Sequence, residues 1–176
     1  MPKTVIKEMG KNNLVSTLKH FPGYGNNGDT HSQIIRDKRK LSTFKSRDLL
    51  PFKAGIKAGA DMIMVSHNIV DAFDKEYPAS LSKKVHKYIR NEMNYDGVII
   101  TDGLGMNGVV DFVGGDKGEA AIKSVLAGND MLCANNYKIQ YHAVLKAVKD
   151  GKIKEKQIDE SVKRILILKL NRKIIK

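Results

Sequence analysis

Between His20 and His31 the chain reads His-Phe-Pro-Gly-Tyr-Gly-Asn-Asn-Gly-Asp-Thr-His. Lys19 and His20 end a short apolar run of Leu14, Val15 and Leu18. The loop that follows delivers Asp29 and His31 two positions apart. A carboxylate so placed can orient the imidazole and raise its basicity, which suits proton transfer near neutral pH. About seventy residues on, Val98, Ile99 and Ile100 run into Thr101 and Asp102, followed by Gly103-Leu104-Gly105-Met106. A carboxylate at the end of a buried strand, beside glycines, can face a substrate. His67 ends a third apolar run, Met62 to Ser66. Each residue also has a plainer reading. Asp102 suits a helix N-cap or a turn, and Asp29 with His31 suits a polar loop pair. Lys19 and His20 suit an ordinary strand end, and His67 either lines a site or is a satisfied structural histidine.

These residues need a scaffold that brings strand ends together. Strands are predicted over Leu14–Lys19, Met62–Ser66, Val98–Thr101 and Asp130–Ala134, all short and largely apolar, as parallel strands are. Helical patterns alternate with them. Leu49, Phe52 and Ile56 share a face, with Pro51 in the first turn where it is tolerated. Leu81, Val85, Tyr88 and Ile89 follow helical spacing behind a Ser80 or Ser82 cap. Ile122, Val125 and Leu126 mark a helix stopping at Gly128. Tyr141, Val144, Leu145 and Val148 mark another, ending near Gly151, and Ile158, Val162, Ile165 and Leu166 a last basic one. Alternating β and α segments predict an α/β fold with a parallel sheet and right-handed crossovers. Lys19 and His20, Ser66 and His67, and Thr101 and Asp102 fall at C-terminal strand ends, the edge where such folds place their sites. His86 and His142 fall in helical patterns and are expected at the surface.

Composition narrows the function classes. The 176 residues carry a net charge of +12, half of it between Gly151 and Lys176, where nine Lys/Arg face three Asp/Glu. The rest is spread over helical segments and is not gathered with aromatics, so nucleic acid is not an expected partner. One cysteine, Cys133, excludes an internal disulfide and gives no metal cluster. Its apolar neighbours Met131 and Leu132 predict a buried thiol. No metal or cofactor is implied, and the Gly23–Gly28 loop lacks the spacing of a phosphate cradle. No apolar run approaches the length of a membrane span and no signal-peptide core is present, so the sequence as it stands reads as cytoplasmic, while the place of a longer parent protein is left open, export included.

Lys19-His20-Phe21-Pro22-Gly23, then Asp29-Thr30-His31, then Thr101-Asp102-Gly103-Leu104-Gly105-Met106 resemble family 3 glycoside hydrolases, in their bacterial β-N-acetylglucosaminidase (β-hexosaminidase) branch. Further matches lie in the family's order at Leu50-Pro51-Phe52, Met64-Val65-Ser66-His67, Pro78-Ala79-Ser80-Leu81-Ser82 and Ala127-Gly128-Asn129-Asp130-Met131. The resemblance implies a retaining hydrolase of terminal β-N-acetylglucosamine, on peptidoglycan-type or related glycans. It implies Asp102 as nucleophile, His31 as general acid/base and Asp29 as its partner. It also implies Lys19 and His20 as sugar-binding residues, and His67, by its strand-end place, is taken with them as a substrate-binding candidate. Gly103 stands where a second Asp is usual, Thr30 where Ser is, and Tyr24 where His is common.

The resemblance further implies a (β/α)8 barrel, which takes about 250 residues, with 200 a lower bound. Residues 1–176 are therefore expected to be one partial catalytic domain, the C-terminal half of such a barrel with about four strands. Its open edges predict a homodimer or a separately encoded N-terminal half as partner. The other expectation is an inactive fragment acting as a carbohydrate-binding or scaffold module.

Overall fold

The computed structural model describes residues 2–28 and 32–176. Asp29 and His31 lie outside the described residues. The strands are β1 (Thr17–Phe21), β2 (Arg36–Asp37), β3 (Met62–Val65), β4 (Ile69–Val70), β5 (Val98–Gly103) and β6 (Met131–Cys133). The helices are α1 (Pro2–Lys11), α2 (Leu41–Thr43), α3 (Leu49–Lys57), α4 (Lys83–Lys87), α5 (Asn107–Phe112), α6 (Lys117–Ala127), α7 (Tyr137–Lys149) and α8 (Glu155–Asn171). π-helical segments at Phe44–Asp48 and Tyr88–Glu92 continue α2 into α3 and lengthen α4.

The main sheet has the order β1-β3-β5-β6, every pair parallel, and β2 pairs with β4 in a small second sheet. Strand order thus follows chain order. Doubly wound sheets reverse direction at a switch point, whereas the staves of a barrel succeed one another as these do. The chain is α/β, and the four predicted strands are present with shifted ends. β1 starts three residues later than the apolar run, leaving Leu14 exposed, and Asp130 precedes β6.

Local signals account for the element ends. Ser82 caps α4 by accepting from the Val85 amide, and Gly128 ends α6 at φ +118°, which a side chain would strain. Leu81 belongs to a 3₁₀ turn ahead of α4 and not to the helix itself.

The sheet is not covered equally on its two faces. Ile63, Val65, Ile99 and Thr101 are fully buried on the helix side, with Phe21, Phe44, Leu49, Phe52 and Ile89 packed around them. Met64, Ile100 and Met131, in register across β3, β5 and β6, are only half-buried on the other side. That face is the one a closed barrel turns inward.

Two of the surface expectations are corrected. His86 is buried, because it packs beneath the Gly128 turn and its Nδ1 takes a 2.8 Å contact with the Ser82 carbonyl. Cys133 is exposed, since it ends β6, an edge strand of this sheet that carries it away from the helix layer.

The N-terminal edge of the sheet is tied by charge. Asp130, buried to 1% exposure, receives Arg90 Nη2 at 2.6 Å, the Ile99 amide at 2.8 Å, Ser161 Oγ at 3.0 Å and Arg164 Nη1 at 3.1 Å. Arg172 Nε reaches Asp61 Oδ1 at 2.8 Å.

Candidate active site

Three strand ends converge at the C-terminal edge of the sheet. β1 ends in Lys19, His20 and Phe21, β3 is followed by Ser66 and His67, and β5 carries Asp102 and Gly103. Pairing is irregular where the polar residues sit. Between Leu18↔Ile63 and Phe21↔Val65, β1 has one residue more than β3. Between Ile100↔Met131 and Gly103↔Cys133, β5 has one more than β6. Such bulges re-aim side chains beside active sites. The Lys19–His20 and Phe21–Pro22 peptide bonds are cis.

The geometry brings His20 and Asp102 together over the end of β3. His20 Nε2 lies 3.7 Å from Asp102 Oδ2, and both side chains are partly exposed, at 28% and 19%. Asp102 Oδ1 accepts the Gly103 amide at 2.8 Å. One carboxylate oxygen is thereby held by backbone while the other faces His20 and solvent. Asp102 does not cap a helix, because the next one, α5, begins after Met106. The Tyr24 ring meets His20 edge-on at 5.2 Å. Lys19 is exposed on the same strand end.

His67 takes a different place from the other candidates. It is fully buried, with Nδ1 2.7 Å from Ser80 Oγ and Nε2 3.1 Å from the Gly103 carbonyl. Burial holds the imidazole below its ordinary pKa, although the Gly103 carbonyl and the Asp102 charge act the other way. His86 is held low by burial as well, against the Ser82 carbonyl contact. An unfolded histidine binds its proton near pH 6.5. With both folded values depressed, the unfolded chain binds more protons below that pH. The stability these two sites contribute is then complete above about pH 6.5 and lost as pH falls towards the folded values. Urea midpoints between pH 7.5 and 5.5 are expected to drop on the acid side, and to drop less in His86→Leu. A midpoint independent of pH over that range would contradict this.

One network at the site has no periodic signal in the sequence. Arg39 meets Asp37 at 2.6 Å, Asp48 at 2.9 Å and the Gly23 carbonyl at 3.1 Å, and its guanidinium stacks 4.4 Å over Phe44. Asn27 donates to Asp37 at 2.7 Å. Burial alone would raise the Asp37 carboxyl, but the Arg39 hydrogen bonds and charge hold it below the usual range. This cluster fixes the described part of the loop that leads towards Asp29. Gly25 is required there, since a Cβ would come within 2.6 Å of the Arg39 guanidinium. The Asp37-x-Arg39 pair, beside the strand Arg36–Asp37, is a signal that charge spacing alone offers.

Among the described residues no group of three or more His, Cys, Asp or Glu side chains is gathered as a metal site. No helix of the described residues is long and apolar enough to cross a membrane.

Residues 1–168 match the model of the glycosyl hydrolase family 3 N-terminal domain. The chain belongs to that family. It is similar to the structure of a family 3 β-N-acetylglucosaminidase from Paenibacillus sp. str. FPU-7, at 35% identity and a TM-score of 0.91, over 98% of this chain and 34% of that one. It is 34% identical over 143 residues to a β-hexosaminidase of Methylococcus capsulatus, spanning 81% of this chain and 42% of the relative. A β-hexosaminidase of Xylella fastidiosa is 40% identical over 109 residues, 61% of this chain and 32% of the relative. The chain thus spans less than half the length of each of these three relatives.

Proposed function

We propose that these residues form the catalytic part of a retaining hydrolase that removes terminal β-linked N-acetylglucosamine from peptidoglycan-type or related glycans. The reading places them in a barrel completed by further strands, supplied by additional chain or by a partner. Asp102 attacks the anomeric carbon and the glycosidic bond breaks, with His31 giving its proton to the departing oxygen. Water then attacks the anomeric carbon as His31, paired with Asp29, takes its proton; the bond to Asp102 breaks, the carboxylate is released and the product keeps the β configuration. Lys19 and His20 hydrogen-bond the sugar. The observation that carries the reading is the Asp102 carboxylate, one oxygen held by backbone and the other open beside His20. The similarity to named β-hexosaminidases supports the substrate.

The test is hydrolysis of an aryl β-N-acetylglucosaminide by the barrel-complete protein, with the anomer of the first-formed sugar read by NMR. Turnover with retention is expected; inversion, or no turnover by a folded complete barrel, overturns the reading. For the 176-residue chain by itself, the half-open face of Met64, Ile100 and Met131 favours a second reading. There it acts as a carbohydrate-binding or scaffold module, or pairs with a second copy that covers this face.

A further inference from the structure

The strand-end histidine behind Asp102 is buried, satisfied at both nitrogens and in contact with the peptide that follows Asp102. A carbonyl oxygen only accepts, so the 3.1 Å contact between His67 and Gly103 requires the hydrogen on Nε2. Nδ1 is then the acceptor for the Ser80 hydroxyl at 2.7 Å. Ser80 is itself fixed, for its amide donates to the Ser66 carbonyl and its carbonyl accepts from Asn129 Nδ2 at 2.7 Å. Asn129 is buried at the start of the turn before β6 and also donates to the Ser124 carbonyl. A continuous buried chain thus runs from the end of α6 through Asn129, Ser80 and His67 to the carbonyl of Gly103. The amide of that same residue holds Asp102 Oδ1.

We propose that His67 is a positioning residue for the Asp102 carboxylate: its Nε2–H anchors the Gly103 carbonyl, and the anchored residue presents the amide that sets the carboxylate's rotation. The inference rests on Asp102 being the nucleophile. It differs from the sugar-binding role expected from sequence, because a buried imidazole with both nitrogens engaged presents no donor to a substrate. Gly103 has no side chain of its own to fix it, with only Met106 within 4 Å of where a Cβ would stand, so it is held through its backbone: its carbonyl accepts the Met106 amide at 3.0 Å as well as the His67 Nε2–H at 3.1 Å, and it pairs with Cys133 in the sheet. The depressed pKa agrees, since a neutral ring can keep Nε2 as donor and Nδ1 as acceptor together.

Glutamine and asparagine separate the two ring nitrogens. The Gln amide nitrogen reaches the place of Nε2 and the Asn amide nitrogen that of Nδ1. His67→Asn is expected to lower kcat of the barrel-complete protein by about tenfold to a hundredfold with KM within twofold, as a misaligned reacting group does. His67→Gln should restore most of kcat. A rise in KM at constant kcat, or equal losses in both variants, overturns the proposal. Two readouts stand apart from activity. In the 176-residue chain, ¹⁵N NMR should show His67 as the neutral Nε2–H tautomer, and the Nδ1–H tautomer overturns the proposal. The Gly103 amide and Asp102 carboxyl resonances should move in His67→Asn and hold in His67→Gln, and failure to move in His67→Asn overturns it likewise. If His67→Asn does not fold, Ser80→Ala takes its place, with a smaller fall in kcat expected and an unchanged kcat overturning the proposal. An inactive wild-type barrel would refute the hydrolase reading while the NMR arms still report on the anchor.

Discussion

Asp102→Asn in the barrel-complete protein is expected to lower turnover of an aryl β-N-acetylglucosaminide by about ten-thousand-fold or more, the scale on which covalent catalysts lose rate without their nucleophile. The amide has nearly the shape of the carboxylate and can still accept the Gly103 amide at Oδ1. What it lacks is the anionic oxygen that bonds to the anomeric carbon. Asp102 is partly exposed, so the substitution leaves no buried charge behind and the fold should be kept. Steady-state rates with matched melting curves measure this. Turnover within a few-fold of wild type would remove Asp102 from the mechanism.

Asp130→Ala is expected to cost about 3–5 kcal/mol of folding stability, the usual consequence of taking one partner from a buried ion pair. The aspartate is 1% exposed and serves two guanidinium groups, a hydroxyl and the Ile99 amide. Removing it strands Arg90 and Arg164 in a poorly hydrated place and leaves the start of β5 without its acceptor. Domains of this kind hold only about 5–15 kcal/mol in total, so the loss reaches the scale of unfolding. Urea denaturation of Asp130→Ala checks it, and a double variant with Arg90→Met should be less damaged than the single-site effects predict. A cost below about 1 kcal/mol would mean that the cluster is hydrated and contributes little.

The strands were legible because each apolar run stops at polar residues, and the stops at Ser82 and Gly128 carry local chemistry that needs no tertiary context. Lys19, His20 and Asp102 were legible as strand-end polar groups, and the convergence of His20 and Asp102 follows from chain-order pairing. Other features depend on partners far away. His86 looks like a helix surface residue until the Gly128 turn is laid over it, and Cys133 looks buried until β6 proves to be an edge. Arg36–Asp37 and Ile69–Val70 form two-residue strands too short for a period, so the Arg39 cluster they position gave no pattern. The N-terminal helix Pro2–Lys11 was missed because its apolar stripe is short, only Val5, Ile6 and Met9, and among its described side chains only Ile6 is buried. His67 was placed in the right region, but only contacts with Ser80 and Gly103 reveal which way its nitrogens are engaged.

The C-terminal helix α8 bears on the order in which this chain is made. Each strand of the sheet lies beside the one of that sheet synthesised before it, so pairing can advance as the chain leaves the ribosome, each strand closing on a partner already made. The ties along the opposite edge follow another schedule. Arg164 joins Asp130 across 34 residues, and Arg172 joins Asp61 across 111. Asp130, already joined by Arg90, therefore waits for Arg164 and Ser161, and Asp61 for Arg172, until translation has delivered α8. During that interval a nascent chain offers the buried acid sites to water and its strand starts to other chains. A helix made after these four strands is the one that ties their starts together.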